Sequence, residues 1–246
     1  MHTIYHLVSR QINRWNLEHQ LLHKKDSSLA HSVVVKPVVT ISRQRGALGW
    51  MLAKQLSEEL QYGFFDRKIV DFIAQDAGVN AELVESLDER GRSELELWVQ
   101  NLLSDRVFDY DTLIQELSKV VKATALQGGV VILGRGANFL LQDSNALHIR
   151  VVAPEEVRIQ NIVNREGLTS QEARQEIYLK DRERANFVKR YFHCDIESPL
   201  AYDLVINTGR VSLEESIKIV LTALRSRGWS MEATGGDKRL AHVRIG

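Results

Sequence analysis

Cysteine is nearly absent from this chain. A single Cys194 among 246 residues cannot close an internal disulfide, so no disulfide framework holds the fold. Its setting, His193-Cys194-Asp195, allows a nucleophile or a metal ligand, but one cysteine without a companion reads first as a packed or exposed bystander. Charge of one sign is lacking too. Lys plus Arg and Asp plus Glu number 32 each. No global field therefore holds DNA or an acidic membrane, and an anionic ligand must rely on a local cluster. No apolar run approaches the roughly 18 residues of a membrane span, and no secretory h-region opens the chain. The expectation is a cytoplasmic protein with neither a membrane span nor a nucleic-acid partner. Repeats and low-complexity tracts are missing as well. What is present is an ordinary 44% of hydrophobic residues, which suits one large domain or a core with inserted lobes.

A further absence is local. Residues 38–52 read VVTISRQRGALGWML. A β-branched run, Val38 to Ser42, stops at Gly46-Ala47-Leu48-Gly49, and a stripe of Leu48, Leu52, Leu56 and Leu60, with Met51, then predicts a helix. Strand, glycine-bearing turn and helix make a phosphate cradle: turn amides face an anion, and the helix N-terminus adds about half a positive charge. The usual GxxxxGK[ST] spelling cannot be written here, and Gly49 stands where the loop lysine would be. Two arginines, Arg43 and Arg45, flank the turn instead.

Strand-like runs recur at Gly63–Asp66, Val130–Leu133, Leu147–Val152 and Leu204–Asn207, with helical patterns between them. Pro154 with Glu155 and Glu156 starts one helix. Thr169 with Glu172 and Ser212 with Glu215 are capping-box patterns, and Ala77-Gly78 reads as a helix end. Alternation of this kind argues a parallel sheet covered on both faces. Ligands then bind beyond the carboxyl ends of the strands, which gathers Arg43, Asp66, Arg135 and Asn207 on one rim. Residues 79–127 and 169–192 are helical blocks that a compact core does not need, and they read as inserted lobes. Before the first strand, Ile4, Val8, Gln11, Trp15, His19 and Leu22 share a helical face with basic neighbours. That start reads as a transit or membrane-surface helix, or as an accessory helix packed on the core or on a second copy of the chain. Asp26 to Ser32 is a polar linker. The organisation expected is 1–36 accessory helix and linker, 37–228 main domain, and 229–246 flexible tail.

Three groups carry candidate chemistry. Asp66, followed by Arg67 and Lys68, either holds an acceptor or a magnesium-bound water, or simply caps the helix that begins after it. Arg135, set between Gly134 and Gly136 at a strand end, suits an acceptor phosphate; the alternative is pairing to a surface carboxylate. Lys180-Asp181-Arg182-Glu183-Arg184 is either a solvated mixed-charge face or a lid bringing arginines to a developing phosphate charge.

The ordered series VVTISRQRG-x-x-G, FFDRKIV, VILGRGANFLL, KDRERANFVKRYF and YDLVINT resembles the cytidylate-kinase-like family, a lysine-free branch of the P-loop nucleoside monophosphate kinases. The match spans about Val38 to Leu224. The resemblance implies a three-layer α/β fold of P-loop kinase type, with a five-stranded parallel sheet in the order 2-3-1-4-5, a helical acceptor lobe at 79–127 and a lid at 169–192. It implies ATP with Mg2+, held by Ser42, Arg43, Arg45, Gly46, Ala47, Leu48 and Gly49, with Asn207 and Thr208 beside the adenine. Asp66, Arg67 and Arg135 fall at the acceptor nucleotide, and Asp181, Arg182 and Arg184 belong to the lid. Leu48 replaces a usual glycine, Trp50 adds bulk after the loop, and Gly136 stands where true cytidylate kinases carry an acid. Three readings follow: a CMP or dCMP kinase, a kinase of another small metabolite, and a nucleotide-binding pseudokinase acting through its N-terminal helix, the candidate for homodimer contact.

Overall fold

The computed structural model describes residues 2–25, 36–104, 112–142 and 144–227. Five strands form one sheet: β1 (Val38–Arg43), β2 (Gly63–Phe65), β3 (Val130–Leu133), β4 (Ala146–Val152) and β5 (Leu204–Asn207). The order is β2-β3-β1-β4-β5, and every neighbouring pair is parallel. This is the α/β sheet that the alternation predicts, in the strand order that the resemblance implies. The β-branched β1 lies at the centre, where both faces must be covered.

Alternation along β1 divides its side chains between two cores. Val39 and Ile41 join Leu52 and Leu56 of α2 (Gly49–Glu59) and Val220 and Leu224 of α10 (Leu213–Ser226). Val38 joins the opposite core, made with α3 (Arg67–Gln75), α4 (Ala77–Glu85), α5 (Glu89–Ser104) and α6 (Thr112–Gln127). The remaining helices are α1 (His2–Lys25), the short α7 (Ala137–Leu140), α8 (Glu155–Glu166) and α9 (Ser170–Phe192). Both expected capping boxes form, at Thr169–Glu172 and Ser212–Glu215.

Two local readings need correction, and the α1 face gains Ile12. The break near Ala77-Gly78 falls at Asp76. Its carboxylate accepts from the Gly78 and Val79 amides and starts α4 there, because a capping side chain outweighs the glycine as a stop signal. The buried stripe of α1 is Val8, Ile12 and Trp15, while Gln11 lies half-buried beside it and against Gly63. Trp15 stacks on Phe65 and donates from Nε1 to the Gly128 carbonyl at 3.3 Å, so this face covers the core. Trp50 turns away from the loop, edge-on to Phe64 and 48% exposed. The expected linker at 26–32 and the tail at 229–246 lie outside the described residues, as do the side chains of His19 and Leu22. Among the described residues no helix is long and apolar enough to cross a membrane.

Candidate active site

Parallel strands bring their carboxyl ends to one rim, and the turn after β1 is the centre of it. Gly46 adopts φ +82, and a Cβ there would lie 2.7 Å from the Arg158 carbonyl oxygen. At Gly49 a Cβ would lie 2.5 Å from that of Arg43. Leu48 also takes a left-handed conformation, φ 60, which is unusual for a branched side chain. Asn161 Nδ2 donates to the Gly46 carbonyl and Thr208 Oγ1 to the Ala47 carbonyl, both at 2.9 Å. The loop is thus pinned through its carbonyls. Its Gly46 and Leu48 amides have no acceptor among the described residues. An anion can take both.

The two flanking arginines differ sharply. The Arg45 guanidinium is occupied by Glu166 at 2.7 Å and Glu176 at 3.1 Å. Arg43 has no side-chain hydrogen bond or ion pair among the described residues. Burial first, and then the guanidiniums of Arg184 and Arg135, lower its pKa to about 9, against the pull of Asp66. It remains a cation at neutral pH and is held among like charges, so an anion beside it relieves a standing repulsion. Burial likewise lowers the Arg184 and Arg135 values, against the pull of Asp181 and Asp71 respectively.

Helix α9 lies across this rim and is tied to it by Asp181. One carboxylate oxygen accepts from the Arg45 amide at 2.7 Å and from Arg184 at 3.0 Å, the other from Arg158 at 2.6 Å. Arg184 also donates to the Arg43 carbonyl at 3.1 Å. Asp181 and Arg184 therefore face the loop. Arg182 does not: it is exposed and bonded to Tyr178. Lys180 pairs with Glu183 on the outside. The solvated-face and inward-facing readings of this helix each describe one side of it.

Across β3, Arg135 has φ 58, lies 3.4 Å from Asp71 and sits 5.4 Å from the centre of the Phe187 ring. Asp66 caps α3 through the Lys68 and Ile69 amides, while the exposed Arg67 pairs with Asp71. Gly136 has no room for a side chain, since a Cβ would lie 2.1 Å from the Phe192 ring. Asn207 closes β5 and accepts from the Gly209 amide at 3.0 Å. No cluster of His, Cys, Asp or Glu suited to a metal is present among the described residues, and Cys194 is a half-buried thiol.

Two arginines of this site escaped the sequence reading. Arg158 of α8 is 8% exposed and holds Asp181. Arg150 of β4 is 5% exposed and donates to Ser42 Oγ at 2.8 Å. A signal for Arg150 was present. A charge inside an otherwise apolar strand of a covered sheet must meet a polar partner.

A family model described as the cytidylate kinase-like family matches residues 38–210. The chain is 28% identical over 178 residues to a cytidylate kinase of Aeropyrum pernix, covering 72% of this chain and 92% of that one. It is 25% identical over 202 residues to a cytidylate kinase of Methanopyrus kandleri, covering 77% and 94%. The solved structure of an uncharacterized protein from Eubacterium ventriosum shares the fold, with a TM-score of 0.63 at 19% identity over 78% of this chain and 99% of that one.

Proposed function

The chain belongs to the cytidylate kinase-like family, and from this premise we propose a nucleoside monophosphate kinase-type phosphotransferase. It moves the terminal phosphoryl group of ATP to a nucleoside monophosphate, CMP or dCMP before others. One observation carries this reading: among the described residues Arg43, half-buried, makes no ion pair, and it stands beside a turn whose Gly46 and Leu48 amides lack acceptors. Phosphoryl transfer is mainly positioning and charge neutralisation, which such a site supplies. The Gly46–Gly49 amides receive the donor phosphates, and Arg43 takes the place of the missing lysine. Arg45, already neutralised by Glu166 and Glu176, holds the α8–α9 corner. Arg184 meets the transferred group from α9, acting as the lid, and Arg135 meets the acceptor phosphate with Asp66 and Arg67 nearby. Asn207 and Thr208 border the donor base. Residues 79–127 form the acceptor lobe.

Magnesium fits here only as a companion of the nucleotide phosphates. Asp181 is fully engaged and Ser42 Oγ is taken by Arg150, which leaves Asp66, whose charge acts on Arg43, as the candidate carboxylate. Mg2+ commonly uses one carboxylate, waters and substrate phosphates. It would neutralise phosphate charge when bound.

The Gly136–Phe192 contact favours a second reading, a kinase of a different acceptor. The space where the family resemblance implies an acid is here filled by the Phe192 ring. A coupled ADP-release assay against a panel of nucleoside monophosphates tests both. Turnover with CMP or dCMP supports the first reading, turnover only with another acceptor the second, and no turnover with any acceptor makes the chain a pseudokinase.

A further inference from the structure

Arg150 has no role in the scheme above, yet it is built into the same rim. Thr40 pairs with His148 and Ser42 with Arg150 in the β1–β4 register, so two polar pairs lie in line on one face of an apolar sheet. Arg150 bonds Ser42 and lies 5.9 Å from the centre of the Tyr202 ring. The Tyr202 hydroxyl is itself fixed to the Ile196 carbonyl at 2.8 Å. No carboxylate pairs with Arg150 among the described residues. Buried guanidiniums without one are rare, because the charge loses water and gains nothing in return.

The surroundings point to what it meets. Arg150, Arg43, Arg158 and Arg184 line one cavity of about 770 Å³ under α9. Among the described residues its wall holds six arginines against three carboxylates, Glu155, Asp181 and Glu197. Glu155 is paired with Arg174, and Asp181 is engaged by Arg158 and Arg184. Arg158 Nε is buried without a partner. The cavity takes no lining residue from α3 to α6, so it opens on the opposite side of β1 from Arg135 and Asp66.

We propose that Arg150, together with Arg43 and Arg184, forms a phosphoryl-binding subsite in this cavity. The inference deepens the phosphotransferase reading and rests on it only for the natural ligand, the phosphoryl group of a nucleotide. Ser42 and Tyr202 hold the planar guanidinium fork in place before the anion arrives, and a pre-oriented donor loses little freedom on binding. A rigid arginine from the neighbouring strand thus adds to Arg43, which stands in for the loop lysine.

The test uses the full chain and inorganic tripolyphosphate as probe, so it needs no turnover. Titration calorimetry with Arg150→Gln should show affinity reduced about tenfold or more, the usual consequence of losing a charge-assisted contact. Thermal unfolding without anion should be unchanged or raised, because a repelling charge has gone. A lowered melting temperature with wild-type affinity for tripolyphosphate would mean that Arg150 is structural and overturn the proposal. Should Arg150→Gln fail to fold, the wild-type protein decides. Its Arg150 Nε–Hε resonance, assigned with Arg150→Lys, must shift as tripolyphosphate is added, and an unmoved resonance rejects the subsite. Repeating the titrations with ATP alone and CMP alone identifies the source, since a defect confined to one places the subsite at the donor or the acceptor phosphate. Arg150-dependent tripolyphosphate binding in a protein inactive on every monophosphate would keep this proposal and remove the kinase reading. An active enzyme in which Arg150→Gln binds tripolyphosphate normally would do the reverse.

Discussion

The Arg45 amide donates to the Asp181 carboxylate at 2.7 Å across 136 residues of chain, joining the glycine turn to helix α9. Arg158 and Arg184 meet the same carboxylate. Its removal leaves a buried Arg158 without its counterion. Asp181→Ala should therefore cost about 2–3 kcal/mol of stability, toward the lower end for a broken buried pair because Asp181 is partly exposed. Denaturant unfolding measures this, and limited proteolysis should show α9 cut sooner. A loss under about 0.5 kcal/mol, as for an ordinary surface substitution, would mean that the carboxylate does not secure the helix.

Leu48 and Leu52 carry the same side chain four residues apart and should respond in opposite ways. Leu48 sits at φ 60, a conformation that costs an L-residue roughly 1–2 kcal/mol. Leu52 is fully buried in the α2 core. Leu48→Gly trades strain and some packing against chain entropy and should stay within about 1 kcal/mol of wild type. Leu52→Ala should cost about 2–5 kcal/mol. Calorimetric unfolding of the two variants checks the contrast, and equal losses would show that Leu48 is held by packing rather than strained by its backbone.

Much of this architecture was legible in the chain. The β-branched runs gave β1, β3, β4 and β5 nearly to the residue, because strands in a covered parallel sheet are short and apolar. Thr169–Glu172 and Ser212–Glu215 announced their helices through local hydrogen bonds. The site was less legible, because pairing is a tertiary fact. Arg43 and Arg45 look alike in sequence, and only the position of Glu166 and Glu176 removes one of them. Arg150 gives no sign in sequence of the partner it meets, because Ser42 lies on another strand. Trp50 follows the loop in sequence, but the first turn of α2 points it at Phe64.

Gly136 and Phe192 give a prediction about specificity. Introducing an acid there, Gly136→Asp, forces a side chain into the Phe192 ring at a backbone of φ +67. Overpacking and left-handed strain together should cost about 2–4 kcal/mol. Gly136→Asp combined with Phe192→Ala should not recover the stability fully, since the strained φ remains, but it should recover the overpacking share. Unfolding of both proteins in urea distinguishes them, and a fully stable single variant would show that the ring moves aside freely.

His148 links stability to pH. It is 8% exposed, and its Nδ1 lies 2.7 Å from Thr40 Oγ1. Burial lowers its pKa below 6.5, against the upward pull of Asp203. The unfolded chain then takes up a proton more readily than the folded one. Stability is complete above about pH 6.5 and declines as pH falls through the lower folded value. Urea unfolding between pH 8 and 5 should show this decline, reduced in His148→Gln. An identical slope in the variant would assign the effect to other groups.

Binding of ATP to Arg43→Gln and Arg45→Gln, measured side by side by titration calorimetry, tests the central claim most directly. Arg43 carries the charge that the loop lysine would have supplied, whereas Arg45 is spent on Glu166 and Glu176. Arg43→Gln should weaken ATP binding by about tenfold or more, and Arg45→Gln by less than about threefold. The opposite ranking, or unchanged affinity in Arg43→Gln, would contradict the account.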